Sequence, residues 1–210
     1  MIKTMKKLLV CCLLFAAVPV LAQDYYGLED YGLSKNTTRV EFYGGAVLPQ
    51  DNWEPNGKDL GGTGWTAGIG FIRNLTPVFA LGMDGNYAQL GDGEKDASHA
   101  YYRTGIATGL VTGRVNFFPK QATRVYIPFG LGIGHVFARQ KFSDGSHRTV
   151  DGTDLAGMLG AGLEFDLDDS LVFGVEGRYY LLNAADEIKD TFGKDRYHHF
   201  LVMLKMGCRF

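Results

Sequence analysis

Cysteine and proline are both scarce in this chain of 210 residues: three of the first and six of the second. Cys11 and Cys12 fall in an apolar leader, so Cys208 is the only thiol beyond it. One thiol cannot close an internal disulfide, and stability must come from elsewhere. A helical stripe, apolar at i, i+3, i+4 and i+7, is missing throughout, which argues against a helical bundle. An excess of basic charge is missing too. The formal net charge is -2, and no cationic patch points to nucleic acid.

Glycine and aromatics are plentiful. The chain has 29 glycines, 14 phenylalanines and 11 tyrosines, a composition suited to strands and turns. The start differs from the rest. MIKTMKK is cationic, LLVCCLLFAAVPVLA is apolar, and Val20-Leu21-Ala22 ends on a small residue. This pattern predicts a secretory signal peptide over 1–22, cleaved after Ala22. A spanning helix needs about 20 apolar residues, and Pro19 interrupts a shorter run here. Loss of Lys3, Lys6 and Lys7 with the leader takes the charge from -2 to -5. Residues 23–37 read as a flexible periplasmic lead-in, and 38–210 as one domain.

In that domain apolar residues alternate with small or polar ones, the period of a strand. Eight segments are predicted as strands: 38–48, 63–73, 78–90, 103–118, 124–142, 153–167, 170–183 and 196–210. Their connections alternate in length. NLTP, PKQAT and DD are short, whereas PQDNWEPNGKDLGG, GDGEKDASHAY and FSDGSHRTVDG are long and polar. That asymmetry predicts an all-β, eight-stranded antiparallel up-and-down transmembrane barrel, with short periplasmic turns and longer extracellular loops.

Mid-strand charges fall on the face opposite the large apolar residues. Glu41, Asp84, Glu164 and Glu176 share that face with Arg114, Arg178, Lys205 and Arg209, four against four once the terminal Arg39 is set aside. In a membrane barrel this face fills the lumen, which eight strands leave just wide enough for side chains. The charges must then pair, because a lone buried charge is costly. Small inward residues, including Gly130, Gly132, Gly134, Gly160 and Gly162, leave room for the basic side chains. Phe71, Phe79, Phe117, Phe165, Phe173 and Phe210 lie toward the short-turn ends. Trp65, Tyr87, Tyr101, Tyr102, Phe137, Tyr179 and Tyr197 lie toward the other ends. Two aromatic girdles are expected at two membrane interfaces.

The last strand closes on Phe200, Val202, Leu204, Met206, Cys208 and Phe210, apolar at every second position up to the terminus. This resembles the assembly signal of bacterial outer-membrane proteins, which implies recognition by the barrel-assembly machinery. Strand number, loop asymmetry, glycine-rich strands and the terminal Phe together resemble the small OmpA/OmpX-type barrels, the outer membrane protein beta-barrel domain group. The resemblance implies a monomer in outer-membrane lipid, acting structurally or through its loops. A fold alone does not fix an activity.

Catalytic and metal-binding patterns are hard to assemble. Small-barrel lipid A deacylases use a His-x-Ser pair with a Glu. None of His99, His135, His147, His198 and His199 has Ser two residues later. Adjacent strand residues such as His198 and His199 point to opposite faces, so they do not share a metal. Asp92, Glu94 and Asp96 lack the spacing and final Glu of a twelve-residue calcium loop. No enzyme, cofactor or metal is therefore expected. The alternatives are a soluble lipocalin-like carrier of an apolar ligand and a lipid A-modifying barrel enzyme. The carrier reading leaves the terminal Phe unexplained, and Thr63 stands where a Gly-x-Trp motif at Trp65 needs glycine.

Overall fold

The computed structural model describes residues 37–50, 62–91, 99–119, 123–142, 144–183 and 196–210. The predicted leader and nearly all of the lead-in lie outside these residues, as do the acids of GDGEKD. The described chain forms eight strands: β1 Thr38–Pro49, β2 Gly64–Asn74, β3 Phe79–Gln89, β4 His99–Phe117, β5 Thr123–Phe142, β6 His147–Asp166, β7 Leu171–Asn183 and β8 Arg196–Arg209. They pair antiparallel in sequence order and close into a barrel. Closure is made by β8 against β1, with Arg39 opposite Arg209 and Pro49 opposite His199. Every strand thus has two neighbours, which satisfies the backbone groups that an open edge would leave bare in lipid.

One end of the barrel carries Thr38, Phe210 and the short turns after β2, β4 and β6; we call it the turn end. Its turns are tied by side chains. Asp168 Oδ1 accepts from the backbone N–H groups of Ser170 and Leu171, both at 2.7 Å. Thr76 Oγ1 accepts from Phe79 N–H at 2.9 Å.

The opposite, far end departs from expectation. β4 and β6 start earlier than their sequence patterns suggest, at His99 and His147. β5 and β6 stay in register out to Lys141 and His147. The segment FSDGSHRTVDG, read as a long loop, is therefore mostly ladder around a tight reversal. Gly145 takes φ 87°, which suits a residue without Cβ. Asp144 Oδ1 accepts from Ser146 N–H at 2.8 Å and its hydroxyl at 2.7 Å. The extension carries polar residues on both faces, so the apolar alternation that marks a membrane strand fades there.

Glycine lets aromatic rings cross the ladder flat against the sheet. A Cβ at Gly162 would collide with the Tyr126 ring, and one at Gly105 with the Phe137 ring. Both pairs sit directly opposite in register. Such packing restores the contact that a strand glycine lacks.

Candidate functional site

The exterior is apolar and the interior holds the charges. Leu131, Met83, Leu155 and Leu204 are 75%, 62%, 65% and 57% exposed, whereas Glu176 and Arg178 are 1% and 3% exposed. A soluble carrier would show the reverse, with charge in water and grease inside. Phe200, Val202, Leu204, Met206 and Cys208 share the outward face of β8, and Phe210 is exposed at its end.

Inside, the turn half holds a continuous ionic network. Arg39 reaches Glu41 at 2.5 Å and Glu164 at 2.7 Å. Arg114 meets Glu41 at 3.2 Å and also pairs with Glu164. Arg124 donates to Glu164 at 2.9 Å and to Asp166. Arg209 pairs with Asp166 and lies 3.8 Å from Glu164. Nζ of Lys205 bridges Glu41 at 2.6 Å and Glu176 at 2.5 Å. Arg178 pairs with Glu176 and lies 2.9 Å from Asp84. Hydroxyls extend the network: Tyr43 donates to Asp84 at 2.7 Å, and Tyr126 to Glu176 at 2.6 Å. The Arg114 guanidinium stacks 3.5 Å from the centre of the Tyr126 ring.

All eight charges singled out by alternation are therefore brought together. Three more join them: Arg39, Arg124 and Asp166. The four-against-four count becomes five carboxylates and six cations among the described residues. Arg39 and Asp166 stand at strand ends, where charge ordinarily meets water. Arg124 is the second residue of β5, yet its side chain is fully buried. The only signal for it was parity: it shares the inward face with Tyr126.

The far half of the lumen is different. Val47, Leu90, Ile106, Leu110, Val136, Leu182 and Leu201 pack there as one buried apolar cluster. Tyr197, expected in the outer girdle, belongs to this cluster at 1% exposure, because its position in β8 has the inward parity. His199 is fully buried, stacked on Tyr180 at 5.0 Å, and both its ring nitrogens lack a hydrogen-bond partner among the described residues. His198 lies on the other face, against Tyr179. On the outer wall, Tyr87 stacks on Phe137 at 5.9 Å and meets Trp65 at 5.5 Å. The side chains of Tyr101, Tyr102, His99 and His147 lie outside the described set. Among the described residues, no three His, Cys, Asp or Glu side chains converge as a metal would require.

An inward ionic network, an outward apolar band and full closure are the marks of a barrel that spans a bilayer. A family model for the outer membrane protein beta-barrel domain matches residues 8–210. The chain belongs to this family. It is thus a transmembrane β-barrel of the bacterial outer membrane. Solved structures agree in fold. Neisserial surface protein A aligns with TM-score 0.57 at 10% identity, over 84% of this chain and all of that one. OprG from Pseudomonas aeruginosa aligns with TM-score 0.53 at 16% identity, over 86% and 99%. Ail of Yersinia pestis, solved with the heparin analogue sucrose octasulfate, aligns with TM-score 0.51 at 18% identity, over 84% and 99%. No curated protein is detectably similar in sequence.

Proposed function

We propose that this protein is a non-enzymatic, monomeric outer-membrane barrel whose sealed body holds extracellular segments at the cell surface. The observation that carries this reading is the filled lumen. The ionic network closes one half and the apolar cluster the other. The void beside Asp84, Arg114 and Arg178 is about 20 Å³, room for a single water. A body packed this way is a rigid support and a poor conduit. Function then falls to what it displays: the connections at the far end and the extended β4–β6 ladder, which face outside if the turn end is periplasmic.

This reading includes export by a signal peptide cleaved after Ala22, a periplasmic lead-in over 23–37, and insertion by the barrel-assembly machinery. The alternating apolar face from Phe200 to Phe210 supports the last step. Two measurements test it. Folded and boiled protein should migrate differently on a gel, and the protein should fractionate with the outer membrane. Deleting Phe210 should lower outer-membrane levels in cells while leaving refolding from urea into detergent nearly intact. Normal cellular levels of the truncated chain would remove the assembly signal. Steady single-channel conductance in planar bilayers would overturn the sealed-body reading.

A further inference from the structure

We propose that the outer wall of β4 and β5 docks one membrane lipid, with its phosphate on Arg103 and Arg139 and an acyl chain in the groove below. The site rests on the membrane placement alone, not on any role of the displayed loops.

The arginines come first. Arg103 of β4 and Arg139 of β5 are direct register partners, and both are exposed. They share the outward parity of Leu131 and Ile133, so both reach toward lipid. Side chains directly opposite on an antiparallel pair have Cβ atoms about 5 Å apart, and like charges there repel. An anion between them turns that repulsion into attraction. Among the described residues no carboxylate pairs with either one. Asp151, an outward acid among the described residues, stands opposite Phe137, two residues closer to the barrel, and lies 3.8 Å from His135 Nε2.

The height is right for a headgroup. Two residues toward the membrane lies the aromatic band, with the Phe137 ring over Gly105 and beside Tyr87. Such bands mark the level where hydrocarbon gives way to headgroups. Cations just beyond it meet lipid phosphates.

The groove is the second observation, and it is independent of charge. Gly85 and Gly109 face each other in register on the outward side. A Cβ at Gly109 would meet nothing within 4 Å. Ile69 stands beyond Gly85 and Ile133 beyond Gly109, so the two glycines form a floor between apolar walls. Met83 and Val111 complete an open, almost wholly apolar groove of about 530 Å³. Its β4 and β5 side, Gly109 and Ile133, lies on the same strands as the arginines. Six residues separate Arg103 from Gly109, about 20 Å along the strand at 3.3 Å per residue. With a strand tilt near 40° that is about 15 Å of depth, one leaflet of hydrocarbon. A chain anchored by its phosphate at the arginine pair and lying along β4 therefore ends in the groove.

Native mass spectrometry of the full mature chain, released from nanodiscs into mild detergent, tests this. The nanodiscs contain equal phosphatidylglycerol and phosphatidylcholine of matched acyl chains. The wild-type protein should retain one phosphatidylglycerol in preference to phosphatidylcholine. Arg103→Gln with Arg139→Gln should cut that retention roughly tenfold or more. Gly109→Leu fills the floor from outside and should cut it as well, with both arginines in place. Heat-shifted gel mobility confirms that each variant is folded. Equal retention of the two lipids, or unchanged retention in the double arginine variant, would overturn the site. Loss in the arginine variant with none in Gly109→Leu would leave a headgroup contact and overturn the acyl seat. Displacement of the lipid by glycerol phosphate would do the same.

Discussion

The two halves of the lumen solve one problem in opposite ways. Both must fill a tube too narrow for bulk water and too wide to collapse. The turn half fills it with long charged side chains that reach across the barrel, as Arg39 does from β1 to Glu164 on β6. The far half fills it with short apolar ones that meet in the middle, Ile106 and Leu201 among them. The charged half gains directional contacts between distant strands but becomes intolerant of losing any one partner. The apolar half is indifferent to charge and sensitive to volume. Arg178 marks the border, with Glu176 on one side and the Tyr180 hydroxyl, 3.2 Å away, on the other.

The comparison breaks most visibly at Glu164, which touches Arg39, Arg114, Arg124 and Arg209. Glu164→Ala leaves the buried Arg39, Arg114 and Arg124 short of a partner and should cost about 3–5 kcal/mol, read from urea unfolding in detergent micelles. Glu176→Ala, which strips Lys205 and Arg178, should cost about 3 kcal/mol in the same assay. A loss below 1 kcal/mol in both would mean that these charges are hydrated rather than paired. In the far half the lever is size. Leu201→Ala, at a position with no exposure, should cost about 2–4 kcal/mol, and Leu201→Met much less.

His199 sharpens the contrast. Its buried ring carries two nitrogens without partners among the described residues, a polar intruder in the apolar half. His199→Phe keeps the stack on Tyr180 and removes that burden. It should raise stability by roughly 1 kcal/mol. The same exchange at Arg178 should be strongly destabilising.

The smallest effect belongs outside both halves. Bonds from the Ser146 hydroxyl and N–H hold the Asp144 carboxyl below its ordinary 3.8. A lowered value means that the stabilised form is the carboxylate, present above pH 3.8 and lost as pH falls through the depressed value. The protection factor of the Ser146 amide, its exchange relative to the intrinsic rate at each pH, should fall only below that point. Asp144→Ala should leave the unfolding midpoint unchanged.

The strands and their faces were legible because large apolar residues alternate with charged ones through the turn half of the barrel. Glu41, Asp84, Glu176 and Lys205 could be placed inward on that ground alone. Arg39 has the inward parity but was set aside as terminal, and Arg124 and Asp166 were not recovered, since a charge near a strand end looks solvated whichever way it points. The apolar half was hidden for a different reason. Where both faces are apolar, as at Val47 and Leu201, alternation carries no signal, and the expected interior of small residues and charges described only the turn half. The β5–β6 extension was missed because its residues are polar on both faces, so hydropathy reports a loop although the backbone continues as a ladder.

That ladder also constrains how the protein can diverge. The register of β5 and β6 runs unbroken from Ile133 and Leu155 in the membrane out to Lys141 and His147. One residue inserted in either arm would turn every side chain beyond it to the other face. Drift in related sequences should therefore change the letters of this hairpin freely while its length changes by two residues in each arm, which keeps both the pairing and the faces.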